Sequence, residues 1–239
     1  MNLLVNMNIH IFYSHYNVTK TDNKFRPYWF DYEKCFLNLL ETIKGKSNIK
    51  LNIVMDGKIE DNWIKKYKEF YTSYEFVGGN IEIVTKAVYK TIKEYKCDGN
   101  DLIYILENDY LHIDNWSEKI IELYKTFSKL NYTSLYDHND KYFAIQYNDL
   151  VSKIITTESH HWRTTPSTCG SYIVPKNIFD DDYEIQTTVI GDHVKHVYLN
   201  EHKGRFILTP IPGLSTHCMD GLLSPTINWE QINKNTIVK

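Results

Sequence analysis

Residues 102–110, Leu-Ile-Tyr-Ile-Leu-Glu-Asn-Asp-Tyr, constrain this chain most. Five apolar residues in a row suit a strand covered on both faces, as in a parallel sheet packed between helices. The run stops abruptly at Glu107-Asn108-Asp109. A strand that ends this way delivers two carboxylates to the carboxyl edge of its sheet, where open α/β sheets bind ligands. Carboxylates this close repel each other, and a divalent cation relieves the repulsion. Hard oxygen ligands suit Mg²⁺ or Mn²⁺, which binds through one or two carboxylates plus substrate phosphates. The plain alternative is a solvated acidic turn.

The flanking pattern supplies a sheet for that strand. Residues 8–16 alternate around Ile9, Ile11 and Tyr13 and read as a strand, with 14–17 as the loop after it. A helix is expected over 30–44, with Phe36, Leu40 and Ile43 on one face and Gly45 at its stop. A second strand over 50–55 ends at Asp56-Gly57, and a helix is expected over 62–70. A short strand over 81–84 precedes a helix capped by Thr85 that runs to Tyr95. Trp116, Ile120, Leu123, Phe127 and Leu130 form a stripe at helical spacing, behind a cap at Asp114 or Asn115. Strand and helix thus alternate through the first 130 residues, which implies a parallel sheet with covering helices.

The second half reads as strands near 143–147, 171–174 and 205–208 and helices near 175–180 and 192–199, joined by long polar loops. No linker or repeat interrupts the chain. Residues 1–239 are therefore read as one domain, with a nucleotide-binding half over about 8–130 and an acceptor-binding half over about 131–239.

Composition narrows the partners. With 27 basic and 30 acidic residues the net charge is −3, which gives no support to nucleic-acid binding. No stretch approaches the roughly 20 apolar residues of a membrane span. Residues 1–8 lack a basic region followed by an apolar run, so no secretion signal and a cytoplasmic location are expected. Cys35, Cys97, Cys169 and Cys218 form no CxxC pair, which excludes a zinc ribbon and predicts free thiols.

Three later segments carry chemistry. Gly213-Leu-Ser-Thr-His217 offers a histidine that can join a distant cation site. Gly191-Asp192 precedes an expected helix, where Asp192 is either its cap or a general base for an acceptor hydroxyl. The segment 160–172 is dense in His, Trp, Ser and Thr; Trp162 can stack on a sugar and Arg163 can meet a phosphate.

Taken in order, these elements resemble the GT-A fold of nucleotide-sugar glycosyltransferases, over about residues 8–229. The phrases Glu-Asn-Asp-Tyr-Leu-His and Ser-Thr-His…Leu-Ser-Pro-Thr-Ile-Asn-Trp-Glu look like those of small microbial and viral members. The resemblance implies an α/β fold with a mostly parallel central sheet and helices on both faces. It implies a metal-dependent, inverting transfer of sugar from a nucleoside-diphosphate sugar, with a UDP-sugar favoured, to a hydroxyl of a glycan or glycoconjugate. Mn²⁺ or Mg²⁺ would bind Asp109, the last acid of the DxD-type motif, helped by Glu107 and by His217 as the distal ligand. Asn108, Ser14 and Tyr16 would lie beside the donor, Asp56 at its ribose or base, and Lys86 against the nucleotide. Asp192 would be the base, with Asp181 and Asp182 next in line. The chain departs from the pattern in having Glu in first place and Gly191 where an acid usually precedes the base. Two other classes stay open: a non-catalytic nucleotide-sugar-binding module, and a nucleotidyltransferase. The latter usually carries a Gly-rich loop after the first strand, and residues 14–19 contain no Gly.

Overall fold

A computed structural model describes residues 7–17, 24–127 and 129–237. The first half runs β1 (Ile9–Tyr16), α1 (Tyr32–Ile43), β2 (Ile49–Asp56), α2 (Asn62–Lys65), β3 (Tyr71–Phe76), α3 (Ile81–Glu94) and β4 (Leu102–Glu107). The second runs β5 (Tyr110–His112), α4 (Trp116–Thr126), β6 (Tyr132–Thr133), β7 (Ile154–Thr156), β8 (His161–Thr165), β9 (Tyr172–Pro175), α5 (Lys176–Thr188), α6 (Asp192–Lys203), β10 (Ile207–Ile211), β11 (Ser215–His217) and α7 (Trp229–Asn235).

Nine strands form one sheet in the order β3-β2-β1-β4-β9-β6-β10-β8-β7. The first four are parallel, and antiparallel pairing enters at β9. Side chains alternate across β4. Leu102, Tyr104 and Leu106 pack with Phe36 and Leu39 of α1 and Trp116, Ile120 and Leu123 of α4. Ile103 and Ile105 face the other way, onto Val88 and Ile92 of α3, Phe179 of α5 and Leu199 of α6. Both faces of the central strand are thus covered, as its unbroken apolar run requires. Each such side chain contributes about 1.5–3 kcal/mol by burial, so packing rather than helix propensity fixes these helices.

Local signals set the helix starts. Asp31 accepts the Lys34 N–H at α1, and Asn80 accepts the Ile83 N–H at α3. Three expectations are corrected, and one strand was not foreseen. The chain at 81–84 is the start of α3 rather than a strand, because Asn80 supplies a cap and Val84, Val88 and Ile92 share a face. The edge strand β3 occupies 71–76, where half-exposed residues hide the alternation. Residues 143–147 form no strand: Phe143 and Ile145 are exposed, and short 3₁₀ turns stand there. The segment 161–165, expected as loop, is β8, paired with β7 and β10.

Among the described residues no helix is long and apolar enough to cross a membrane. All four cysteines are free, with the Cys35 and Cys218 sulfurs 4.0 Å apart.

Candidate active site

The carboxyl ends of β1, β2 and β4 lie side by side. Ser14 pairs with Glu107 across β1 and β4, and Tyr16 with Asp56 across β1 and β2. Just past β4 the chain turns and β5 pairs antiparallel with β11, setting His217 opposite Tyr110. Their rings stack 5.0 Å apart. This two-stranded ribbon brings the distal histidine to the acidic turn: His217 Nε2 lies 3.0 Å from Asp109 Oδ2.

Oδ2 of Asp109 also accepts from Lys24 Nζ at 2.9 Å and Arg26 Nη2 at 2.8 Å. Burial alone would raise the Asp109 pKa. The charges and hydrogen bond of His217, with Lys24 and Arg26, instead hold it far below the usual carboxylate range. Oδ1 is buried with no hydrogen-bond partner among the described residues. Arg26 is itself fixed: Nη1 donates to the Cys218 carbonyl at 2.8 Å, Nη2 donates to the Tyr32 hydroxyl, and the guanidinium lies over Phe30. Lys24 and Arg26 were not singled out in the sequence. The signal available was a basic pair shortly after the first strand.

Glu107 stands beside this cluster. Ser171 Oγ accepts the Glu107 N–H and donates to Oε2. A β-carbon on Gly170 would lie 3.2 Å from the Glu107 carboxyl, so glycine permits the approach. Burial, then the charge of Asp109, raise the Glu107 pKa, and Asp192 adds to the rise. Asp192, the first residue of α6 after Gly191 at φ +89°, shares a cleft with Cys169, the chain neighbour of the Gly170 that packs on Glu107. Burial raises its pKa, and Lys195 partly offsets this. A cleft of about 540 Å³ opens beside Asp192, lined also by His138, Lys141, Tyr147, Cys169 and His193.

The remaining expected residues are placed as follows. Tyr16 donates to or accepts from the Tyr32 hydroxyl at 2.8 Å, which links it through Arg26 to Asp109. Ser14 is half-buried at the strand edge. Asn108 is buried and turned toward His15, 3.4 Å from Nδ1. Both carboxylate oxygens of Asp56 accept backbone N–H groups, of Gly78 and Gly79, so Asp56 shapes the loop ahead of α3. Lys86 pairs with Glu82 one turn earlier on the exposed face of α3, a consequence of the helix starting at Ile81. Trp162 is wholly buried and Arg163 is paired with Asp137 at 2.8 Å, so neither is free to meet a ligand. Asp182 is buried against Tyr132, Lys203 and Arg205, and exposed Asp181 pairs with the same two cations.

Glu107, Asp109 and His217 do not place three ligand atoms within 4.8 Å of one another. Oδ1 of Asp109 is a buried carboxylate oxygen of this cluster that accepts no hydrogen bond among the described residues, and it is the atom that could hold a cation.

No protein-family model and no curated protein matches the chain. Solved structures do. The structure of CMP:2-keto-3-deoxy-manno-octonic acid synthetase complexed with CTP is similar at TM-score 0.52 and 9% identity, over 86% of this chain and 92% of that one. S. aureus TarS 1–349 is similar at TM-score 0.50 and 10% identity, over 85% of this chain and 58% of that one. At this identity the likeness is one of fold: an α/β architecture with a large mixed sheet, of the GT-A-like kind.

Proposed function

We propose that the chain is a glycosyltransferase that takes its sugar from a nucleoside-diphosphate sugar, a UDP-sugar in the favoured case, and passes it to a hydroxyl of a glycan or glycoconjugate. The observation that carries this reading is the meeting of four segments at one sheet edge. Lys24 and Arg26, which follow β1, and His217, which ends β11, bond Asp109 after β4, and Asp192 at the start of α6 lines the cleft beside the Gly170 that packs on Glu107.

The donor diphosphate lies over Asp109, where Lys24 and Arg26 meet its oxygens; the arginine fork suits phosphate. Mg²⁺ or Mn²⁺, held by Asp109 with Glu107 and His217 beside it, would stabilise the charge on the leaving nucleoside diphosphate. Asp192 takes the acceptor proton as the hydroxyl oxygen attacks the anomeric carbon, and the bond to the diphosphate oxygen breaks. One displacement inverts that carbon. The cleft beside Asp192 is the room for the acceptor.

A second reading, nucleotidyl transfer, would use the same two cations from the segment after β1 that reach Asp109. Product analysis separates the two. The protein is incubated with nucleoside-diphosphate sugars, and separately with nucleoside triphosphates plus free sugars, with and without EDTA. Release of nucleoside diphosphate, lost in EDTA and restored by Mn²⁺, is the expected result. Pyrophosphate release instead establishes nucleotidyl transfer. Binding with no turnover leaves a binding module. Full activity in chelator removes the cation from the mechanism and leaves the diphosphate charge to Lys24 and Arg26.

A further inference from the structure

At the amino edge of the parallel strands, opposite the candidate active site, three ligand-type side chains converge. His10 is the second residue of β1, Asp101 immediately precedes β4, and Cys97 lies in the connection after α3. β1 and β4 are neighbours, with Ile9 beside Leu102, so His10 and Asp101 meet. One ligand atom from each of the three falls within 4.8 Å of the other two. His10 and Asp101 are buried and Cys97 is half-buried.

We infer that His10, Cys97 and Asp101 form a zinc site, with water in the fourth position. The surrounding bonds favour it. Asp101 Oδ1 accepts the backbone N–H and the side-chain amide of Asn8, at 3.0 and 3.1 Å. Oδ2 faces His10 Nε2 at 3.0 Å, with the Asp98 N–H on it at 3.3 Å. His10 Nδ1 lies 3.1 Å from the Tyr95 hydroxyl. A ligating histidine donates its far N–H to a fixed acceptor, and a ligating carboxylate is held by donors on its far oxygen; Tyr95 and Asn8 fill these two roles. With bonds of about 2.0 Å, nitrogen and oxygen ligands of tetrahedral zinc stand roughly 3.3 Å apart, so the His10–Asp101 pair needs to open by only about 0.3 Å. A mixed N, S, O set selects zinc over Mg²⁺ or Ca²⁺. The carboxylate and thiolate together neutralise Zn²⁺. On binding, the Cys97 S–H proton leaves to water as the S–Zn bond forms; the His10 Nε2–H that faces Asp101 leaves to water as the N–Zn bond forms, and Nδ1 takes a proton from water and turns it toward Tyr95, so one proton is released in all.

The test uses the full-length protein, stripped of metal by a chelator and titrated with Co²⁺ and then Zn²⁺. The expected result is one equivalent of Co²⁺ with a thiolate-to-cobalt charge-transfer band, displaced by Zn²⁺, and a rise in Tm with zinc. Cys97→Ala abolishes the band. Cys218→Ala keeps it, which separates this site from the thiols near His217. Tyr95→Phe keeps the band and weakens zinc roughly 10–100-fold, as loss of an outer partner does. No band in the wild type, or a band that survives Cys97→Ala, overturns the site. Unchanged zinc affinity in folded Tyr95→Phe overturns ligation through Nε2.

Discussion

Asp109 concentrates the electrostatics of the whole site on one oxygen, and its partners decide what can be tested there. Arg26 is one of them, held by Cys218, Tyr32 and Phe30. If the proposed diphosphate contact holds, Arg26→Ala should weaken nucleoside-diphosphate binding about tenfold or more, some 1.4 kcal/mol, while nucleoside binding changes little. Calorimetry with the two ligands checks this; equal losses for both would mean Arg26 is a scaffold only. Asp192 makes a different prediction. Asp192→Asn keeps the shape, so donor affinity should hold while turnover falls about a hundredfold or more. Burial raises the Asp192 pKa. As pH drops through that raised value the base is protonated and the rate is lost, so the acid limb of kcat/KM should lie above the usual Asp range and vanish in the variant. At this scale the meeting of the acidic turn with His217, and the place of Asp192 at the start of α6, were legible because each is a chemically distinct residue at an element boundary. Lys24 and Arg26 were not, because their meaning comes from a partner 83 or more residues away. Trp162 and Arg163 misled because a polar stretch reads as surface, whereas Asp137 lets the arginine be buried.

At the scale of elements, α5 and α6 are tied to the sheet by one carboxylate. Asp182 on α5 is 0% exposed and accepts from Tyr132 of β6, from Lys203 at the end of α6 and from Arg205 just before β10. Asp182→Ala strands a buried phenol and two cations. The usual cost of breaking a buried pair is about 3–5 kcal/mol; Lys203 and Arg205 retain some access to water, so about 3 kcal/mol is expected. Asp181 is 60% exposed and shares the same cations, so Asp181→Ala should cost at most about 1 kcal/mol. Urea unfolding of both variants measures the contrast, and similar losses would assign the tie to the exposed pair. Because α6 presents Asp192, loosening this clamp should also lower turnover. The helices and strands of the first half were legible where one face is fully buried, as in α1 and β4. They were lost where burial is partial. β3 sits at the sheet edge with mixed exposure, and the β-branched start of α3 imitates a strand until Asn80 is seen to cap it.

Across the whole molecule, buried histidines weaken the fold in acid: burial lowers the pKa of His15, His112, His160 and His196, and two of them are shifted most. His112 of β5 and His196 of α6 lie on opposite sides of the sheet, and burial pushes both pKa values down to about 3. In the unfolded chain each titrates near 6.5. Each therefore contributes stability that is complete above about pH 6.5 and is lost progressively as pH falls toward 3, because only the unfolded state takes up the proton. The slope approaches about 1.4 kcal/mol per pH unit for each histidine. His196 isolates the effect. Its ring lies edge-on to Tyr132 and Tyr172, and neither nitrogen has a partner among the described residues. His196→Leu is close in volume and removes two unsatisfied polar atoms, so at pH 7.5 it should leave stability unchanged or raise it by up to about 1 kcal/mol. Its advantage should grow as pH falls, because one proton sink is gone from the unfolded state. Denaturant unfolding at pH 7.5, 6 and 5 for the wild type and His196→Leu measures this directly. If the difference between the two proteins stays constant from pH 7.5 to 5, His196 is not held neutral in the native state, and α6 must instead open enough to hydrate it.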